Sequence, residues 1–150
     1  MAKQLYFDIA ATTPMDIDVA EIIHKANIEN YGNPSSMHMS GQKSHNIFES
    51  SRTSIAQILN CKTSEIIFTS GGSESNNIVL KGILKKGDHL ITSSYEHPSV
   101  LNLAKHLQQN GVEVSFIKPL EHGSISAEQV KSEIKSNTKL ISICLLYTSD

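Results

Sequence analysis

The apolar positions of this chain change their spacing near residue 64. Before it, Val19, Ile22, Ile23 and Ala26 recur at helical intervals and predict a helix over about 16–30. Ile47, Ser51, Ile55 and Ile58 mark a weaker face of a second helix over about 40–60. The turn-rich stretch Tyr31-Gly32-Asn33-Pro34-Ser35-Ser36 separates the two. From Ser64 onward, short β-prone runs alternate with longer periodic ones. They predict strand 65–69, helix 73–85, strand 88–93, helix 98–109, strand 112–116, helix 126–135 and strand 139–144. Gly87, Gly111, Pro119 and Gly123 fall in the connections, where helices and strands stop.

Strict alternation of strand and helix implies an α/β fold: a mostly parallel sheet, helices on both faces, and right-handed crossovers. Ligands in such sheets bind beyond the carboxyl ends of the strands. The expected organisation is an N-terminal segment over 1–15, a helical region over 16–63 whose helices serve packing, and the α/β region over 64–143.

Composition narrows the function classes. A chain of 150 residues with 39% apolar and 19% charged side chains is long and apolar enough for one ordinary core. A net charge of −2, with no run of basic residues, argues against a nucleic-acid partner. The longest apolar run, Ile143 to Leu146, is far too short to span a bilayer, and no signal-like stretch opens the chain. Cys61 and Cys144 are too far apart for a zinc knuckle or a redox dithiol, so both read as small buried hydrophobes in a reducing, cytoplasmic protein. His24, His45, His89, His106 and His122 lie at no metal-ligand spacing with acids or cysteines and read as surface or structural.

Two segments carry candidate chemistry. In Glu65-Ile-Ile-Phe-Thr-Ser-Gly-Gly-Ser-Glu-Ser-Asn-Asn77, a β-prone run breaks on Gly71 and Gly72 and restarts at Ser73, a helix-starting residue. A helix start carries unpaired N–H groups and roughly half a positive charge, which suits a phosphate dianion. By itself the same Gly-Gly-Ser also makes a plain tight turn and cap. The second segment is Tyr95-Glu96-His97-Pro98-Ser99, where Pro98 opens a helix and keeps His97 out of the helical conformation at the mouth of the turn. A lone histidine there equally serves as a surface residue capping the helix. A phosphate seat with a flat ring on the neighbouring strand end suits a planar phosphorylated cofactor.

Four ordered motifs then resemble one family. They are Tyr6-Phe7-Asp8-Ile9-Ala10-Ala11-Thr12-Thr13-Pro14, Gly32-Asn33-Pro34-Ser35-Ser36-Met37-His38, Phe68-Thr69-Ser70-Gly71-Gly72-Ser73-Glu74-Ser75-Asn76-Asn77, and Glu96-His97-Pro98-Ser99-Val100. Together they resemble the cysteine desulfurases, class V enzymes of the fold-type I pyridoxal-phosphate group. The resemblance implies that 64–143 is part of a pyridoxal-phosphate-binding domain. It implies that Gly72 and Ser73 hold the cofactor phosphate, and that His97 stacks on the pyridine ring and assists proton transfer. The family more often has Thr where this chain has Ser73; both offer a hydroxyl. The Asn33, Ser35, Ser36, His38 turn is placed near the active site or a subunit interface, and Ala10, Ala11 and Thr12 in a substrate-side loop.

The implied reaction converts L-cysteine to L-alanine. Pyridoxal phosphate acts as electron sink, and an enzyme thiolate takes the substrate sulfur as a persulfide destined for acceptor or scaffold proteins of iron–sulfur cluster assembly or tRNA thiolation. A homodimer is the implied working state. The family's cofactor lysine, its ring-nitrogen aspartate and its sulfur-receiving cysteine match none of Lys81, Lys85, Lys86, Cys61 or Cys144 and are expected beyond residue 150, which makes these residues alone inactive. Residues 144–150 depart from the family pattern and read as a foreign tail. Two alternatives stand beside this reading: another class V enzyme, such as a selenocysteine lyase or an aminotransferase, and a non-catalytic binding fragment.

Overall fold

The computed structural model describes residues 5–9 and 11–144, so Ala10 of the substrate-side loop and 145–150 of the expected tail lie outside the described residues. Two compact units divide the chain, Met1–Phe68 and Thr69–Asp150.

In the first unit, α1 (Ile17–Glu29) begins at Asp16, whose carboxylate accepts the Asp18 N–H at 2.9 Å. The second helix, α2 (Met39–Leu59), begins at His38, whose Nδ1 accepts the Gly41 N–H at 3.2 Å, and ends at Asn60 in the left-handed region. These are side-chain caps on otherwise orphaned helix-end groups. Asn33 closes the intervening turn by accepting the Ser35 N–H at 2.9 Å. Gly32 is required there because a Cβ on it would lie 2.3 Å from the Ser40 carbonyl oxygen. The apolar face of α1 stays open, with Ile22 67% and Val19 47% exposed, so within this unit its predicted packing role is not realised.

The strand predicted over 65–69 does not form. A single 3-10 turn, Thr63–Glu65, leads into an irregular stretch. A strand needs a neighbour to take its N–H and C=O groups. Instead the Ile66 carbonyl accepts the Arg52 guanidinium, whose cation lies 4.8 Å from the Phe48 ring centroid and 5.0 Å from that of Phe68. β-Propensity chose an extended backbone, but a side chain of α2 took the place of a ladder.

The second unit follows the predicted alternation closely: α3 (Gly72–Ile83), β1 (His89–Ser93), α4 (Pro98–Gln109), β2 (Glu113–Ile117), α5 (Ala127–Ser132) and β3 (Thr138–Ser142). The sheet is parallel in the order β2-β1-β3, with Leu90 opposite both Val114 and Leu140. Leu90 points into a core made with Leu80 and Leu84 of α3 and its C-cap, Val100, Leu103 and Ala104 of α4, and Val112. Full burial of such a leucine stabilises the fold by about 1.5–3 kcal/mol relative to an exposed site. Strand alternation sends His89 and Ser115 to the opposite face, where Glu133, the C-cap of α5, accepts the Ser115 hydroxyl at 2.7 Å. Helical segments therefore serve both faces of a sheet buried at its centre.

Cys61 is half-buried, but Cys144 is exposed, against the expectation of a buried strand residue. The reason is length: β3 ends at Ser142, and its central residues already alternate in burial because it is the sheet's edge. Among the described residues no helix is long and apolar enough to cross a membrane.

Candidate functional site

The connection from α3 to β1 is only five residues, Leu84 to Asp88, so α3 runs opposite to the strands and starts at their carboxyl end. The next helix, α4, starts at the same end, four residues after β1 stops. Since α3 and α4 pack against one another through Leu80, Val100 and Leu103, their N-termini stand side by side. That is the end of a parallel sheet where ligands collect.

Gly71 caps α3 with φ 158° and ψ −179°, and having no side chain it leaves the first-turn N–H groups uncovered. A Cβ built on Gly71 or Gly72 would meet no atom within 4 Å, so the turn has open space on the side glycine leaves bare. Ser73, second in the helix, is exposed, and its hydroxyl makes no hydrogen bond among the described residues. Glu74 puts a negative charge in the same turn, but Oε2 turns back to accept the Ser70 N–H at 2.6 Å and the Ser70 hydroxyl at 2.8 Å. Those bonds, the backbone one foremost, hold the Glu74 carboxyl below its ordinary pKa. Its charge is thus spent on the preceding turn rather than on the helix amides.

His97 caps α4 with φ −56° and ψ 147°, the extended conformation that Pro98 at the first helical position demands. The ring is both a cap and an exposed group. Nδ1 accepts the Ser99 N–H at 3.1 Å and stands 2.8 Å from the Ser99 hydroxyl, while the residue is exposed and Nε2 makes no hydrogen bond among the described residues. Across the gap between helices, the Asn76 side-chain amide donates to Ser99 Oγ at 2.9 Å. Asn76 lies one turn along α3 from Ser73, so a short polar bridge joins the glycine-serine turn to His97.

Neither Asn76 nor Ser99 stood out as a site residue in the sequence. A serine two positions after a capping histidine was a local signal, since an N–H at that position is what the cap bonds. The Asn76 contact spans 23 residues and had no such signal. The turn formed by Asn33, Ser35, Ser36 and His38 belongs to the first unit, where Asn33 and His38 act as backbone caps. A cavity of about 300 Å³ opens near the ends of β1 and β2, lined by Ser93, Tyr95, Pro119 and Ser124 among others. Gly72, Ser73 and His97 do not line it; they face open surface instead.

Known proteins resemble this chain in sequence and fold. A model of the family described as aminotransferase class-V matches residues 5–149. The cysteine desulfurase IscS 1 of Archaeoglobus fulgidus is 41% identical over 142 residues, covering 92% of this chain and 37% of that protein. A solved structure of SspA in complex with cysteine superposes with a TM-score of 0.83 at 41% identity, covering 92% of this chain and 41% of that one. A NifS-like protein gives 0.87 at 34% identity, covering 94% and 40%. The chain spans about 37% of the length of the curated relatives it matches.

Proposed function

The chain belongs to the aminotransferase class V family, and on that premise we propose that it supplies the phosphate and ring seat of a pyridoxal-phosphate-dependent cysteine desulfurase. Its α/β unit is part of the fold-type I architecture seen in its cysteine-desulfurase neighbours, and enzymes of this family depend on pyridoxal phosphate. The observation that carries the reading is the bridged pair of helix starts, one uncapped and glycine-lined, the other bearing an open imidazole.

The residues fit that cofactor. Uncovered N–H groups at Gly72 and Ser73, a bare hydroxyl on Ser73 and the positive end of a 12-residue helix form a dianion seat. His97 offers a flat face and an outward Nε2 to a planar ring. When bound, pyridoxal phosphate supplies an electron sink for bonds at the substrate α-carbon. The chain's own part is to grip and orient: phosphate held at one point and the ring at another leave little rotational freedom. His97 is also placed to hold or move a proton at Nε2.

The same reading carries L-cysteine as substrate, alanine and an enzyme persulfide as products, sulfur-acceptor proteins as partners and a homodimer as the working state. The family's lysine, aspartate and sulfur-receiving cysteine match none of Lys81, Lys85, Lys86, Cys61 or Cys144, and the reading draws them from elsewhere in the full-length protein. The test uses the full-length protein purified with its cofactor. Ser73→Ala and His97→Ala together are expected to strip the visible cofactor absorbance and to abolish alanine release from L-cysteine. Unchanged absorbance and rate in that double variant would refute the assignment, and turnover of a selenium or amino-group substrate in preference to cysteine would move it to another class V activity.

A further inference from the structure

We propose that Asn76 and Ser99 are positioning residues that hold the His97 imidazole as the Nε2–H tautomer and tie its orientation to the helix bearing Ser73. The inference rests on the cofactor reading for its consequence, but its geometry stands apart from it.

The argument begins with a donor that has no alternative. A backbone N–H can only donate, and that of Ser99 points at His97 Nδ1 from 3.1 Å. Nδ1 must therefore present its lone pair, and the neutral ring carries its proton on Nε2. The Ser99 hydroxyl reinforces this. Its oxygen already accepts the Asn76 amide N–H at 2.9 Å, which leaves its own proton to point toward Nδ1 at 2.8 Å. All three donors run in one direction, from Asn76 through Ser99 to His97.

The consequence is a defined polarity at the open end of the ring. Nε2–H faces outward as a donor on the exposed side of α4, where a ligand held at the Ser73 turn is within the province of both helix starts. Without the side-chain part of the relay the ring keeps its bond to the Ser99 backbone and loses the one to the Ser99 hydroxyl, which Asn76 of the neighbouring helix holds in place. Rotation about its side-chain bonds then becomes looser while the cap survives. Because Asn76 and Ser99 are both half-buried between α3 and α4, their hold on the ring is steadier than an exposed contact would give. Neither touches the candidate ligand side of His97, so each acts through the ring rather than on the reacting atoms.

Two measurements on the full-length protein test the idea. In long-range proton–nitrogen spectra of the cofactor-free form, His97 is expected to show one fixed tautomer, with Nδ1 as acceptor and Nε2 protonated. Ser99→Ala and Asn76→Asp keep the backbone donor to Nδ1 and so are expected to retain that tautomer, while the relaxation of the ring resonances reports a more mobile imidazole. Averaged signals, or an Nδ1–H tautomer, in the unmodified protein would overturn the proposal whatever the enzyme's activity. The second measurement is a double-variant cycle on cysteine turnover. Each single variant is expected to lower kcat by about three- to tenfold at unchanged melting temperature, less than the roughly hundredfold that a 1 Å misplacement can cost. In a His97→Ala background each is expected to have no further effect, because the residue they act through is gone. Additive losses would mean that Asn76 and Ser99 work by some other route and would sink the inference. A full-length protein that fails to bind pyridoxal phosphate defeats the functional reading, while the spectra still decide this one.

Discussion

Lowering the pH from 7.5 to 5.5 should weaken the α/β unit through one buried histidine. His89 is fully buried, and both ring nitrogens are engaged: Nδ1 with Thr138 Oγ1 at 2.8 Å and Nε2 with Ser115 Oγ at 3.0 Å. The direction of these bonds is set from outside. Ser115 donates to Glu133 Oε2 at 2.7 Å, so its oxygen accepts Nε2–H; Thr138 Oγ1 accepts the Lys135 N–H at 2.8 Å and gives its own proton to Nδ1. Adding a proton to Nδ1 sets two donors face to face and orphans the Thr138 hydroxyl, a loss of about 1–3 kcal/mol for a buried donor. Burial foremost, then the nearby Lys135 charge, pushes the His89 pKa below its ordinary value, with Glu113 and Glu133 opposing. Native His89 thus binds fewer protons than unfolded His89, and stability falls as pH drops below about 6.5. The largest possible loss at pH 5.5 is about 1.4 kcal/mol, reached if the native ring takes up no proton at all. Denaturant melts against pH, compared with His89→Gln, should show a slope that the variant loses. The Cε1–H resonance of His89 gives the direct check. A titration midpoint near 6.5 in the native protein would refute the reasoning.

Other perturbations probe the two units separately. Leu90→Ala empties the centre of the core between the sheet and α3 and α4, and should cost about 2–5 kcal/mol in urea unfolding of the α/β unit; a loss under 1 kcal/mol would mean that the core collapses around the gap. Gly32→Ala places a Cβ 2.3 Å from the Ser40 carbonyl oxygen, so the turn before α2 must shift, costing about 1–3 kcal/mol. Hydrogen exchange at the first turn of α2 should speed up in that variant, and unchanged protection would contradict the close approach.

The α/β alternation was legible because each element has its own local cause. Ser126 and Gln129 form a capping box that starts α5 one residue from its expected boundary, and Pro98 opens α4 at the expected residue. Apolar periodicity likewise placed β1, β2 and β3 within a residue or two of their ends. Gly72, Ser73 and His97 were candidates for the same reason: glycine before a helix, and histidine before proline, state their backbone geometry locally.

Whatever depended on partners distant in sequence was not legible. Ile66 to Phe68 have strand-forming side chains, yet the Arg52 guanidinium rather than a neighbouring strand takes the Ile66 carbonyl. His89 reads as one more scattered histidine until β2 and β3 close over it with Ser115 and Thr138. The Asn76–Ser99–His97 bridge exists only because α3 and α4 pack side by side at one end of the sheet. Caps, turns and amphipathic periods are short-range and travel with the local residues, whereas ladders, buried hydrogen-bond chains and contacts between helix starts are made only when the chain folds back on itself.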